Sequence, residues 1–386
     1  MTIQKCTVKK GRYFMNNAKN TPCDFLLTPT DPKYDESIRI FQGCPTIAIT
    51  KGGRIFLGWY SGGPCEPHMD NYNILIYSDD KGKTWSKPVV IIPSNKEKCI
   101  HALDIQLWTS PEGKLFIFWV QNNVEPTTDE NHAITRKTET NNTALMYTDG
   151  FKFSDFEHSM WMSVCDNPDS NNLVFSEPRY ADTGFLRCKP TVLSNGNWLF
   201  FNYDQMQENY GYSISKDNGK TFERHYGAKK LLTDYDESMA YERKDGSVRM
   251  FARTLNFGHP AESISYDGGL TWTETKLSDI VHPTTRFFVS RTPSGKVILV
   301  TNDSPDTRSN MTVSLSDDDG ETWEHKLLID SRLDLSYPDI DFYDGKIYLV
   351  YDRERCGAKE ILFVEFTEED IISGNENLKI TIISKP

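Results

Sequence analysis

One short phrase recurs four times in this chain of 386 residues: Ser78-Asp-Asp-Lys-Gly-Lys-Thr-Trp85, Ser215-Lys-Asp-Asn-Gly-Lys-Thr-Phe222, Ser265-Tyr-Asp-Gly-Gly-Leu-Thr-Trp272 and Ser316-Asp-Asp-Asp-Gly-Glu-Thr-Trp323. Each residue type in the pattern Ser-x-Asp-x-Gly-x-Thr-aromatic has a physical task. The aspartate bonds nearby backbone in a tight turn, and the glycine supplies a positive φ. The threonine returns the chain to extended backbone, and the aromatic ring fills the space between strands. Such a turn joins two antiparallel strands, so a chain built on it is a repeat of β-units.

A second phrase counts the units. A turn glycine followed by alternating apolar residues occurs at Gly53-Arg-Ile-Phe-Leu, Gly113-Lys-Leu-Phe-Ile, Gly196-Asn-Trp-Leu-Phe, Gly246-Ser-Val-Arg-Met, Gly295-Lys-Val-Ile-Leu and Gly345-Lys-Ile-Tyr-Leu, six times, at separations of 60, 83, 50, 49 and 50 residues by subtraction. Four of the six are followed by the aspartate turn; the second unit has a worn version, Tyr147-Thr-Asp-Gly. Four antiparallel strands per unit, six times, predict an all-β, six-bladed β-propeller in a single domain spanning 1–386. The expected blades are 39–99, 100–185, 186–234, 235–283, 284–333 and 334–386, the last closing with the N-terminal segment. The long second interval, holding Asn122 to Asp182, predicts an excursion on one face, where propeller loops shape pockets.

Composition agrees and narrows the partners. Aromatics make up 12% of the residues, and 24 Gly with 19 Pro supply turns, a strand-and-turn profile. The 55 acidic residues outnumber the 43 basic ones for a net charge of −12, which argues against nucleic acid or an anionic membrane as partner. No run of ~18 apolar residues occurs and the N-terminus has no apolar core of a secretion signal, so no membrane insertion and a cytoplasmic location are expected. The eight cysteines, Cys6, Cys23, Cys44, Cys65, Cys99, Cys165, Cys188 and Cys356, include no Cys-x-x-Cys pair and no histidine at ligand spacing. They read as reduced packing residues, with no metal or organic cofactor implied.

In a propeller the innermost strand of each blade starts at the ligand face. The residues just before those strands are Arg39 to Pro45, Asp104, Lys189, Glu237, Arg286 and Tyr337; the exits of the second strands add Trp59 to Asp70, Gln121 to Asn123, Asn202 to Asp204, Arg253, Arg308 and Asp352 to Arg353. Arginines concentrated at one face of an acidic chain would bind a carboxylate or other planar anion by charge-assisted, bidentate hydrogen bonds. Each arginine taken alone has an ordinary alternative, snorkelling over an aromatic or pairing structurally. Tyr337 could pack beside Pro338, Glu237 could end a strand in an ion pair, and His101 and Asp104 could bond backbone rather than substrate. Trp59, Trp108 and Trp119 read as blade core.

The four aspartate turns, the sixfold pattern, and Arg39, Arg253 and Arg308 followed by Ser336-Tyr337 resemble the sialidase (neuraminidase) superfamily, in particular bacterial BNR-repeat exo-α-sialidase-like proteins, over Arg39 to Asp370. The resemblance implies that Arg39, Arg253 and Arg308 clamp a substrate carboxylate, that Tyr337 is the nucleophile and that Glu237 is its base. Asp104 and Arg286 join the substrate-binding ring, Arg286 serving either the substrate or Glu237. The residue types suit the chemistry: the anomeric carbon of a sialic acid carries a carboxylate, which repels an anionic nucleophile but not a phenol. A phenol of ordinary pKa ~10 needs a base. The leaving oxygen needs an acid, for which Asp70 in His68-Met-Asp-Asn-Tyr is the first choice and Glu66 the second.

Two stretches depart from the family pattern. The Arg-Ile-Pro opening is extended to Arg39-Ile-Phe-Gln-Gly-Cys-Pro45, which would shift Arg39 relative to the other two guanidiniums, and blade 1 exits through Gly58-Trp-Tyr-Ser-Gly-Gly, without the usual extra arginine and acid. The expected function is a retaining exo-glycosidase that releases a terminal α-linked sialic acid or related nonulosonic acid from glycans. The alternatives are a hydrolase or lyase acting on another acidic sugar, uronic or keto-deoxy, and a carbohydrate-binding propeller without turnover.

Overall fold

The computed structural model describes residues 17–129 and 132–386; Cys6 and the extreme N-terminus lie outside them. Six antiparallel sheets form a six-bladed β-propeller. Blades 4, 5 and 6 keep the simple four-strand order: Ser238–Glu242, Val248–Ala252, Ala261–Ser265 and Lys276–Leu277; Phe288–Arg291, Val297–Asn302, Met311–Ser316 and His325–Asp330; Leu335–Tyr343, Lys346–Arg353, Glu360–Phe366 and Thr381–Ser384. In blade 3 the strands Thr191–Val192, Trp198–Phe200, Asn209–Ser215 and Glu223–Lys229 are preceded by a separate short pair, Phe185–Leu186 with Asn202–Tyr203.

Blade 1 runs Phe41–Ile49, Ile55–Gly62, Tyr72–Ser78 and Val90–Pro93, and Leu26–Leu27 adds a fifth strand to its outer edge. The last blade is expected from the sequence to close with the N-terminal segment, but the N-terminal strand Leu26–Leu27 pairs with blade 1. The fourth strand of the last blade is the chain's own C-terminal Thr381–Ser384. Side-chain carboxylates join the first and last blades instead. Asp339 accepts from the Thr46 hydroxyl at 2.7 Å and the Ile47 amide at 3.0 Å, and Asp341 accepts from the Ile49 amide at 2.9 Å. The N-terminal segment contributes a latch, with the Ser384 hydroxyl donating to Glu36 at 2.6 Å.

Blade 2 carries the excursion. Ile100–Thr109, Leu115–Pro126, Phe151–Cys165 and Arg179–Thr183 make its main path, and the hairpin His132–Lys137 with Asn142–Thr148 is inserted before the third strand. Tyr147-Thr-Asp-Gly is thus the turn leading into that strand, not a worn copy of the turn that leaves it.

The four aspartate turns share one hydrogen-bond scheme. In the first, Ser78 Oγ donates to Asp80 and accepts from the Gly82 amide at 2.9 Å, while the Thr84 amide and hydroxyl reach Asp80 at 2.8 and 2.6 Å. The Thr84 hydroxyl and amide together hold the Asp80 carboxyl down to about 2. The aromatic that closes the phrase packs between blades, as Trp85 does edge-on against Phe363, with centroids 5.7 Å apart. Trp59, Trp108 and Trp119 are buried, as expected of blade core. No helix among the described residues is long and apolar enough to cross a membrane.

Candidate active site

Three of the six inner strands share a local device. Cys44, Asp104 and Tyr337 have φ of +57°, +50° and +54°, and at each the pairing slips by a bulge, between Gly43 and Thr46, Leu103 and Gln106, and Ser336 and Asp339. A bulge re-aims the side chain at the extra residue. A left-handed non-glycine residue costs roughly 1–3 kcal/mol, sustained here by the pairing on either side. Asp104 and Tyr337 are directed into an axial cavity of about 180 Å³, which Glu66, Glu237, Arg253, Arg308 and Arg355 also line. Its apolar wall includes Leu103, Met146, Phe153, Phe185 and Tyr203, the last two rings stacked with centroids 5.1 Å apart. A larger cavity of about 290 Å³ opens at the opposite ends of the inner strands, between Lys189, Met239, Arg291 and Ile340, and none of those site residues lines it.

On the wall of the smaller cavity the Tyr337 hydroxyl donates to Glu237 Oε1 at 2.6 Å. Arg253 bridges the pair, its Nη1 lying 3.0 Å from Glu237 Oε2 and 3.4 Å from the Tyr337 oxygen, and its Nη2 donates to Asp234 at 2.9 Å. Burial opposes ionisation of Glu237, but Arg253, Arg187 and the Tyr337 hydroxyl outweigh it and hold the carboxyl below its ordinary value. Burial and the Glu237 charge push the Tyr337 phenol far up, only partly offset by Arg253 and Arg355. The resting pair is a neutral phenol donating to a carboxylate.

The Tyr337 ring also sits among guanidiniums: those of Arg355, Arg187 and Arg286 lie 4.4, 4.8 and 5.9 Å from its centroid, within cation–π range. Arg187 is 1% exposed, and none of its guanidinium nitrogens has a hydrogen-bond partner among the described residues. Its charge is balanced at longer range, by Asp104 at 3.6 Å and Glu237 at 3.8 Å. Arg308 donates to the Thr284 carbonyl at 3.2 Å. Burial and the neighbouring Arg253 and Arg355 guanidiniums push its pKa down. Cations placed this close to one another suit the binding of an anion.

Two sequence-based assignments are corrected. Arg39 is not in the cavity; it donates to Ser384 Oγ at 3.3 Å and the Tyr34 carbonyl at 3.2 Å, with its guanidinium 5.7 Å from the Trp59 ring. The extended opening leaves it before the first strand, ahead of the turn into the axis. The position that faces the axis is Gly43, where a Cβ would meet Arg355 Cγ, Cδ and Nε at 2.8 Å. Arg355, from the exit of blade 6, occupies the space a side chain at Gly43 would need. Asp70 is also displaced: its side chain is 59% exposed, paired with Lys96 at 2.8 Å and near His68 at 3.7 Å, and it does not line the cavity.

Glu66 does line it, with Oε2 accepting from Arg355 Nη1 at 3.0 Å. Burial and the Asp104 charge push its carboxyl up to about 7 against the pull of Arg355 and Arg187. The side chain keeps 28% of its surface open, so the charge of Asp104 supports the upward direction alongside burial. Of the remaining expected residues, Glu237, Arg253, Arg308, Asp104 and Tyr337 are brought together, whereas Arg286 lies beneath Tyr337 and donates to Asp339 at 3.3 Å rather than facing the opening. His101 is buried against the Tyr60 hydroxyl at 2.6 Å, and burial pushes it down to about 3, so it is neutral.

Cys44, Glu66 and Asp104 lie close enough to share a metal ion, and so do His68, Asp70 and Asp149. Cations of the chain already serve both groups: Arg187 and Arg355 the first, and Lys96, 2.8 and 2.9 Å from Asp70 and Asp149, the second.

Residues 53–349 match a protein family described as BNR repeat-like domain. A sialidase of Bacteroides fragilis is 31% identical over 156 residues, which span 37% of this chain and 28% of that protein. Among solved structures, the NanB sialidase from Streptococcus pneumoniae superposes with a TM-score of 0.66 at 17% identity, over 91% of this chain and 71% of that one. The intramolecular trans-sialidase from Ruminococcus gnavus, in complex with oseltamivir carboxylate, gives 0.63 at 14% identity, over 91% and 98%. At these identities the structural likeness establishes the propeller fold.

Proposed function

Because this chain belongs to the BNR repeat-like domain family, and sialidases are among the proteins it resembles, we propose that it is a retaining exo-glycosidase that removes a terminal α-linked sialic acid or related nonulosonic acid from glycans. The observation that carries this reading is the Tyr337–Glu237 pair, 2.6 Å apart and flanked by guanidiniums, at the wall of an arginine-lined cavity. A binding module needs the cations but has no use for a phenol joined to a buried carboxylate.

In the proposed reaction Arg253, Arg308 and Arg355 hold the substrate carboxylate through charge-assisted hydrogen bonds. Glu66, whose carboxyl burial and the Asp104 charge push up to about 7, gives its proton to the glycosidic oxygen. As that bond breaks, the Tyr337 oxygen attacks the anomeric carbon and its proton passes to Glu237. The raised pKa of Tyr337 requires this transfer to accompany attack, since free phenolate is scarce. Arg187 and Arg355, stacked near the ring, stabilise the negative charge that develops on it. The ionised Glu66 then takes a proton from water, which attacks the same carbon. The phenolate leaves and recovers its proton from Glu237. Two inversions give retention, with a tyrosine in place of the usual second carboxylate.

The test is release of a fluorophore from an aryl α-sialoside by the wild-type protein and by Tyr337→Phe, with aryl uronides and keto-deoxy glycosides in parallel. Turnover of the sialoside that falls by three orders of magnitude or more in the variant supports the reading. Turnover of another acidic sugar alone removes the sialidase assignment.

A further inference from the structure

Arg355 holds two carboxylates of the protein before any ligand arrives. Its Nε donates to Asp352 at 3.2 Å, its Nη1 to Glu66 at 3.0 Å, and its Nη2 reaches Ser336 Oγ at 3.4 Å. Asp352 is anchored independently by the Cys44 amide at 2.7 Å and the Ser336 hydroxyl at 2.5 Å, and it is fully buried. Glu66 lies on the loop between the second and third strands of blade 1, and Arg355 is its one ion-pair partner among the described residues. Of the two acids, Glu66 is the one free to let go.

The same guanidinium lines the anion cavity beside Arg253 and Arg308. A carboxylate placed against its terminal nitrogens competes with Glu66 for the same N–H groups and the same positive charge. We infer that capture of an anionic substrate displaces Glu66 from Arg355 and loads Glu66 with a proton from solvent, so that substrate binding itself arms the acid. The exchange balances: one carboxylate–guanidinium pair, one free carboxylate and one proton become one neutral carboxyl and one carboxylate–guanidinium pair.

The groups around Glu66 favour this direction once Arg355 is engaged elsewhere. Asp104 and Asp352 are the nearby carboxyls, Asp104 itself pushed up by burial and the Glu237 charge against the pull of Arg187 and Arg355; Arg187 is the remaining positive charge, and the Cys44, Cys65 and Cys356 thiols and the Tyr60 hydroxyl are neutral with raised pKa values. A ligand carboxylate adds one more negative charge and occupies the strongest counter-cation. An uncharged glycoside of the same shape would leave Glu66 paired and ionised, so selection for the carboxylate acts on turnover as well as on binding.

This inference rests on the proposed anion clamp, and calorimetry separates the two. The probe is the unreactive 2,3-unsaturated glycal of sialic acid, titrated into the full chain at pH 8 and pH 5.5 in buffers of different ionisation enthalpy. Wild-type protein is expected to take up more than half a proton per glycal bound at pH 8 and almost none at pH 5.5. Glu66→Gln is expected to take up less than 0.2 proton at both and to bind at least as tightly at pH 8 as wild type. Glycal binding without proton uptake by the wild type at pH 8, or uptake undiminished in a folded Glu66→Gln variant, overturns the inference and leaves the clamp standing. No glycal binding at all overturns both.

Discussion

Replacing Gly43 with alanine tests whether Arg355 fills the role that the sequence assigned to Arg39. Gly43 is not among the residues with positive φ, so its backbone accepts an alanine; the obstacle is Arg355, whose Cγ, Cδ and Nε lie 2.8 Å from the ideal Cβ. Comfortable carbon contacts lie at about 3.5–4.0 Å, so the Arg355 stem must recoil by roughly 1 Å. It cannot do so while keeping its bonds to Asp352 and Glu66 and its place 4.4 Å from the Tyr337 ring. A hydrogen bond to a charged partner contributes about 1.5–3 kcal/mol. Misplacing one clamp arm should therefore lower kcat/KM for an aryl sialoside by about 10- to 150-fold. The assay is a double-mutant cycle with Arg355→Met. If Gly43 acts only by giving Arg355 room, Gly43→Ala costs less than about 0.5 kcal/mol in the Arg355→Met background. A Gly43→Ala single variant that keeps more than a third of wild-type kcat/KM, or two losses that add in full, would rule out this role for Gly43.

The remaining predictions concern the acid, the base and the fold. Glu66 must be protonated to act, so kcat/KM is present below its pKa and falls tenfold per unit as pH rises through about 7; if substrate capture loads the proton, the corresponding limb of kcat lies at higher pH. The lowered pKa of Glu237 places the acid-side loss below the ordinary glutamate range, and a pH-rate profile reads both. Glu66→Gln should cut turnover of an alkyl sialoside by at least a hundredfold and of an activated aryl sialoside by less than tenfold, whereas Asp70→Asn, at an exposed ion pair, should stay within twofold on both. Trp198→Ala should destabilise the protein by about 3–5 kcal/mol in denaturant titration, because a side chain 2% exposed and 4.6 Å from Trp108 leaves a cavity that a rigid blade cannot close.

The repeat was the legible part. Six glycine turns and four aspartate turns impose strand order and blade number through local chemistry, and local chemistry is what a sequence displays. Tyr337, Glu237 and Asp104 were found because each lies in or beside the innermost strand of its blade; the bulges that aim Asp104 and Tyr337 into the cavity break the alternation and left no sign in the sequence. Arg187 was missed by two residues in favour of Lys189. Both positions share a face in extended backbone, but the inner path of blade 3 is broken between Leu186 and Thr191, and Lys189 ends at the opposite cavity, bonded to the Ile340 carbonyl.

Arg355 was missed for a different reason. It follows Glu354, whose φ of +47° turns the chain back after the strand Lys346–Arg353, and strand periodicity says nothing past such a turn. The signal was present on the other side of the cavity: a glycine where the family pattern has a side chain, in Gln42-Gly43-Cys44-Pro45, is a vacancy that another side chain can fill. From sequence Asp70 ranks ahead of Glu66, and the structure places Glu66 rather than Asp70 at the cavity, because both lie on a loop with no periodicity and only the loop's path decides which one faces the axis.

In the proposed reaction Tyr337 forms the covalent bond to the sugar. The direct measurement is mass spectrometry of the protein after exposure to a 2,3-difluorosialic acid, in which the fluorine at carbon 3 slows release of the glycosyl intermediate. The expected result is one added fluorosialosyl group per chain, carried by the peptide containing Tyr337 and absent in Tyr337→Phe. An adduct on Glu237 or Glu66, or steady turnover of sialosides by Tyr337→Phe, would contradict it.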